Sequence, residues 1–404
     1  MKRGETMSLD GEKKKITRAV DGVAGDMLDI NRRIFDKPEL CYQEKFARQA
    51  LADYLSSNGF SVTTPAGWPP TSFIARHGKA KTPSVAILAE YDALPQIGHA
   101  CGHSMIAAAG CGAATAIVKA APGHAGSLLV IGTPAEEGGG GKIKMLAKGA
   151  FKGVDAAIMI HPSNKTRAVA RMYAISHLTF EFRGKAAHAA AFPDKGVNAL
   201  DAGVLFYNAV SALRQQLKAE ARVHGIFTHG GDAPNIIPER VEMKFYVRAL
   251  DYGYFREVER KVVECAHGSA RAAGCKLKIT KGEAEYAPFY PSYPMGRIFR
   301  ENMKTLGIAE DSFSETEEIG SSDIGNLSQV LPTLHPEFRV GDKGEVNHSR
   351  DFLTAVVSKN GAAAMIAMTK AMALTVYDLL AKPALMAEVK KEFMAATRKG
   401  SGRR

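Results

Sequence analysis

Between residues 84 and 160 the chain alternates continuous apolar runs of strand length with stretches of helical composition, and few folds accommodate that pattern. Ser84–Tyr91, Ser127–Thr133 and Ala156–Ile160 read as strands; alanine-rich Met105–Lys119 and the shorter Ile143–Phe151 read as helices. Strands that are apolar along their whole length are buried on both faces. The pattern therefore predicts an α/β fold, a mostly parallel sheet flanked by helices. In such sheets reactive groups gather beyond the carboxyl ends of the strands. Asp92, Glu136, Glu137 and His161 all fall there.

The pattern then changes. Ala174–Arg183, Arg222–Thr228, Val241–Leu250 and Lys276–Glu285 alternate like half-exposed strands, while Val197–Ala219 and Tyr254–Ala273 have helical periodicity. The order β-α-β-β-α-β is the ferredoxin-like split unit. Pro288, Pro291 and Pro294 mark a linker. Helix Met295–Leu306, a polar turn at Gly320–Asp323, a strand near Val330 and a long helix from Asn360 follow. The expected organisation is one discontinuous catalytic domain, 1–174 and 288–404, with a lid or dimerisation domain inserted at 175–287. A chain of 404 residues suits two domains.

The net charge of +11 is concentrated at the ends: residues 1–20 carry +3 and residues 390–404 carry +5. Two solvated basic tails account for most of the charge, so no nucleic-acid partner is expected. Five scattered cysteines form no disulfide framework, and a cytoplasmic location fits a chain without a leader-like apolar segment. The long apolar stretch Ala362–Ala381 is broken by Lys370 and Asp378, and no membrane partner is expected.

Cys101 and His103 lie two apart in the glycine-flanked turn Gly98–Ser104, a thiolate and imidazole pair suited to a transition metal. Glu136 and Glu137 are adjacent at a strand end. Adjacent carboxylates point apart, so one can bind a metal while the other serves as general base. A packed cysteine and a solvated acidic turn are the plainer readings of these two clusters. His161 closes a strand, and His335 and His348 are the late histidines. His188, Asn235 and Arg248 lie in the inserted region. No His-Glu-x-x-His, Gly-x-Ser-x-Gly or Cys-x-x-Cys occurs. A phosphate loop at Glu136–Ile143 fails, since Glu136 and Ile143 occupy its first and last positions.

Together these pieces resemble the aminoacylase–carboxypeptidase clan, peptidase family M20, and within it the amidohydrolase branch. That branch includes aminobenzoyl-glutamate hydrolases, auxin-conjugate amidohydrolases and a mammalian-type dipeptidase. The markers are Ala89–Pro95, His99–His103, Pro134–Gly138, Gly184–His188, Pro234–Pro238 and Gly320–Asp323, and the likeness runs from Asp26 to about Met372.

The resemblance implies a site for one or two divalent ions, Mn²⁺ or Zn²⁺, held by Cys101, His103, Glu137, His161 and His348, with His335 in reserve. It implies Glu136 as general base, and His188, Asn235 and Arg248 as residues reaching a carboxylate-bearing substrate. In relatives the counterpart of His188 enters a partner subunit's site, so a homodimer through the inserted domain is expected. Ser104 stands where auxin-type members have Asp, and Glu90 replaces a frequent Asp. The expected reaction is hydrolysis of the amide of an N-acyl or N-aroyl amino acid. Deamination of an aromatic amine, a non-catalytic metal-binding role and a hydrolase using Cys101 as nucleophile are the alternatives. Intact Glu136 argues against the second. His103 is too close in sequence to Cys101 to serve as its base, which argues against the third.

Overall fold

In chain order the strands are β1 (Ser61–Thr63), β2 (Phe73–His77), β3 (Ser84–Ala89), β4 (Ser127–Gly132), β5 (Ala156–Ile158) and β6 (His161–Ser163). They continue as β7 (Ala174–Arg183), β8 (Arg222–His229), β9 (Arg240–Ala249), β10 (Lys276–Lys281), β11 (Thr333–Leu334) and β12 (Glu337–Arg339). The structure, a computed structural model, describes residues 2–399 apart from 79–81, 283, 313, 315–317 and 343; among these, side chains are described for residues 11–396. The chain divides into two units. One takes Met1–Arg171, Tyr290–Glu317 and Asn326–Ser401; the other takes Met172–Phe289 and Glu318–Gly325.

The larger unit is built on a sheet of order β1-β2-β4-β3-β5-β11. β4, β3, β5 and β11 run parallel, and β2 and β1 add an antiparallel edge. Every residue of β3 and β4 is buried, as their unbroken apolar sequence requires. Helix His103–Ala120 is buried from His103 through Ile117. Its small residues permit close approach: a methyl on Gly112 would sit 2.4 Å from the Met27 sulfur. The helix Lys359–Ala381 is the only one among the described residues long and apolar enough to span a bilayer. It lies in this core, with Met365, Met368, Met372, Leu374 and Leu379 buried.

The smaller unit is an antiparallel sheet of order β10-β7-β9-β8 with helices Ala199–Arg214 and Tyr252–Ala272. Along β9, Val241, Met243, Phe245 and Val247 are buried, and Glu242, Lys244, Tyr246 and Arg248 take the opposite face. Asn198 and Asp251 cap the two helices, accepting from the Leu200 and Tyr254 amides. The β-α-β-β-α-β order is the one read from the sequence.

Two details go beyond the expected organisation. Glu318–Gly325, assigned by sequence to the catalytic part, clusters with the smaller unit, where the Tyr173 amide donates to the Gly320 carbonyl at 2.9 Å. The segment 1–20 is not simply a solvated tail. The helix Lys2–Gly22 buries Ile16 and Val20, and Lys13 pairs with Asp378 at 2.6 Å. Helix Pro383–Lys399 buries Met386 and Val389, both ahead of the basic segment 390–404, whose described side chains are exposed or half-buried. Charge counting missed the apolar stripe that the first of these segments carries.

Candidate metal centre

Four chain segments of the larger unit meet beyond the strand ends. The turn after β3 supplies Asp92, and Gly102 shapes the turn holding Cys101 and His103. Gly102 adopts φ +83°, and a Cβ there would come within 2.7 Å of the Pro162 ring, so only glycine lets this turn close onto the His161–Pro162 segment. His161 opens the short strand β6, paired with β12, rather than ending the preceding strand as expected.

His103 is fully buried at the start of its helix. Its Nδ1 donates to Asp92 Oδ1 at 3.0 Å, which leaves the Nε2 lone pair facing the opposite way. Cys101 Sγ lies 3.7 Å from His161 Nε2, while His161 Nδ1 donates to the Pro162 carbonyl at 2.7 Å. One donor atom each from Cys101, His103 and His161 lie within 4.8 Å of one another. Burial lowers the His161 pKa and so favours the neutral ring that a ligand needs.

After β4 the chain passes through Ala135, whose φ is +61°, into Glu136 and Glu137. Both carboxylates come within 3.9 Å of His103 Nε2. His103, Glu136 and Glu137 form a second group of close donors; Cys101, Glu137 and His348 form a third. Cys101 is shared between the His103–His161 and the Glu137–His348 groups, an arrangement that lets one thiolate serve two cations.

A cation fits these residues. His103 Nε2 is buried without a hydrogen-bond partner and stands 3.9 Å from Glu137 Oε1, which is costly unless a third group sits between them. Metal–ligand bonds of about 2.1 Å span that gap. Burial pushes the Cys101 thiol pKa up, and a bound cation is what would draw its proton away.

The two late histidines part here. His348, at φ +66°, has its amide on the Ala100 carbonyl at 2.9 Å and its Nε2 3.4 Å from Glu137. His335 is buried between β11 and β12, its ring 5.1 Å from that of His161, and joins none of the close donor groups among the described residues.

In the smaller unit His188 is exposed and bridges Ile236, and the Ala189 amide donates to the Asn235 carbonyl at 2.9 Å. His188 and Asn235 therefore share one loop cluster. Arg248 donates to Ser321 at 3.0 Å and pairs with no carboxylate among the described residues. Glu242 on the same strand instead takes Arg240, at 2.6 Å. Burial lowers the Arg248 pKa.

Sequence reasoning placed Asp92 at a strand end without giving it a role. It also missed the buried ion pair of Lys142 with Glu90, whose second oxygen lies 3.5 Å from His103 Nε2. The place of Glu90 inside the Ala89–Pro95 marker was the available signal. Lys142 had none, since a lysine after a glycine run reads as solvated.

The sequence model of peptidase family M20/M25/M40 matches residues 86–372. A Xaa-Arg dipeptidase of Mus musculus is 38% identical over 94% of this chain and 92% of its own length. One of the polypeptides of the p-aminobenzoyl-glutamate hydrolase of Escherichia coli (strain K12) is 35% identical over 76% of this chain and 66% of its own. Among solved structures, a dinuclear metal-binding M20 peptidase from Bacillus subtilis superposes with TM-score 0.71 at 19% identity, covering 89% of this chain and 99% of that one.

Proposed function

The chain belongs to peptidase family M20/M25/M40 and is a metallohydrolase acting on carbon–nitrogen bonds; on that premise we propose that it cleaves the amide joining an acyl, aroyl or aminoacyl group to an amino acid with a free carboxylate. The observation that carries this reading is the convergence of Cys101, His103, Glu137, His161 and His348 with a second, adjacent carboxylate, Glu136, left over for proton transfer.

One or two divalent ions, Mn²⁺ or Zn²⁺, would lower the pKa of a water and polarise the scissile carbonyl. Glu136 takes the proton of the attacking water and returns it to the leaving nitrogen. Asp92 holds His103 in the tautomer that presents Nε2. His188 stabilises the developing oxyanion. Arg248, short of an anion, binds the substrate carboxylate with Asn235. The 38% identical dipeptidase and the 35% identical aminobenzoyl-glutamate hydrolase act, by their names, on such amides, which supports the substrate class.

The active species in this proposal is a homodimer. β8 is a sheet edge carrying exposed Ile226 and Phe227, and the Phe227 ring lies 6.4 Å from that of exposed Tyr207. An apolar edge of this kind is one that a second copy would cover. The cytoplasm is the proposed compartment, supported by five cysteines that form no disulfide, two of them buried.

The deciding experiment assays metal-replete protein on dipeptides, N-acyl and N-aroyl amino acids and aromatic amines, detecting amino acid and ammonia separately. Amino-acid release, lost in Glu136→Gln by about 10²–10⁴-fold, is expected. Ammonia from a ring amine, with no amide cleaved, would replace this reading by deamination.

A further inference from the structure

Glu44 lies more than ninety residues before the glutamate pair, outside every motif, yet is fully buried. Its Oε1 accepts two backbone amides, Tyr42 at 2.9 Å and Ala135 at 3.0 Å, and its Oε2 accepts the Thr71 hydroxyl at 2.7 Å. Both amides belong to non-glycine residues in the left-handed region, Tyr42 at φ +60° and Ala135 at φ +61°. Such residues are uncommon, and the surroundings must enforce the conformation. Tyr42 closes the arrangement by donating its hydroxyl to the Gly139 carbonyl at 2.6 Å. One carboxylate thus spans the two strained residues, and one of them is the residue immediately before Glu136.

We propose that Glu44 is a positioning residue of the metal centre: by gripping the Ala135 amide it enforces the left-handed turn that aims Glu136 and Glu137 at His103. The inference rests on the reading of Glu137 as a ligand and Glu136 as base. Without the grip, Ala135 relaxes toward ordinary backbone and swings both carboxylates off the Cys101–His103 side. The pocket in which Glu44 sits is polar on the side facing Tyr42, Ala135 and Thr71, so its burial is not explained by apolar packing. Its burial also pushes the carboxyl pKa up to about 7, a cost tolerated only where the group has work to do.

The geometry distinguishes variants. Glu44→Gln keeps a carbonyl for the two amides and turns its NH₂ toward the Thr71 oxygen, so it preserves the grip. Glu44→Ala removes it. Ala135→Gly removes the need for it, because glycine adopts φ near +60° without steric cost.

The test is calorimetric Mn²⁺ binding to the chelator-stripped full-length protein, with melting temperature as the control for folding. Glu44→Ala is expected to weaken Mn²⁺ binding about tenfold or more, as loss of a group supporting a ligand typically does. Glu44→Gln should bind within about threefold of wild type, and Glu44→Ala/Ala135→Gly should recover most of the loss; recovery is something a mere packing defect at Glu44 would not show. Wild-type affinity in Glu44→Ala, or a double variant no better than the single, overturns the proposal. If Glu44→Ala does not fold, Glu44→Asp, too short to reach both amides, takes its place with the same expectations. Glu137→Gln is the accompanying control. If it binds Mn²⁺ as wild type does, the ligand reading falls and the clamp's purpose with it; if it loses Mn²⁺ while Glu44→Ala does not, only the clamp falls.

Discussion

Asp92 Oδ1 lies 3.0 Å from Nδ1 of His103, and the same carboxylate's Oδ2 accepts the Glu137 amide at 2.9 Å. One buried aspartate therefore sets the ring orientation of one candidate ligand and the backbone position of another. Burial works to raise its pKa, but the hydrogen bonds from His103 and the Glu137 amide help bring it below the ordinary aspartate value. Asp92→Asn should fold and lose metal affinity by about 10–100-fold, measured by Mn²⁺ titration. Unchanged affinity would mean that His103 orients itself.

The two late histidines make opposite predictions. His348→Ala should lower bound metal per chain by elemental analysis. His335→Ala should keep metal but melt at lower temperature, because it opens a cavity beside His161. The reverse pattern would make His335 the ligand.

Glu44 predicts a pH effect on stability. Its carboxyl titrates at about 7 when folded against 4.5 as the ordinary value, so between those values the folded protein keeps a proton that the unfolded chain has released. Raising the pH through that window strips the proton at the expense of the fold, by at most about 3 kcal/mol, and the effect is complete above the window. Glu44→Gln cannot ionise. Its melting temperature relative to wild type should therefore rise from pH 5 to pH 8, and a constant difference would refute the assignment.

Arg248→Lys should lower kcat/KM about tenfold or more, on the order of 1.5–3 kcal/mol for a charge-assisted contact. Lysine lacks the planar fork that grips a carboxylate by two bonds. The loss should largely vanish on a substrate whose carboxylate is amidated. Equal losses on both substrates would make the arginine structural.

Mixing two inactive proteins tests assembly. Glu136→Gln and His188→Ala subunits, once exchanged, should regain activity in hybrid dimers if His188 serves the partner's site. Verified exchange without activity would confine His188 to its own chain.

Much of this was legible in the sequence because the cues were local. Unbroken apolar runs fixed β3 and β4, strict alternation fixed β7 and β9, and adjacency in the chain gathered Cys101 with His103 and Glu136 with Glu137. What escaped depends on contacts between distant segments. Nothing near Glu44 announces Ala135, 91 positions away. Lys142 pairs with Glu90 across 52 positions. Ile16 and Val20 form a buried stripe inside a lysine-rich segment that charge alone presents as solvated.

The interruption of the larger unit has a consequence for the order in which the protein matures. β11 pairs with β5 from 176 residues further along the chain, and helix Lys359–Ala381 covers the alanine-rich helix His103–Ala120. During synthesis the smaller unit's β7–β10 emerge complete while the first part of the larger one still exposes its apolar helix, awaiting residues not yet made. Folding domain by domain thus inverts the usual N-terminal precedence: the guest finishes before its host. Until residue 381 is made, the face of helix His103–Ala120 that Lys359–Ala381 covers stays open, and apolar surface left open in this way is what makes a nascent chain prone to aggregate.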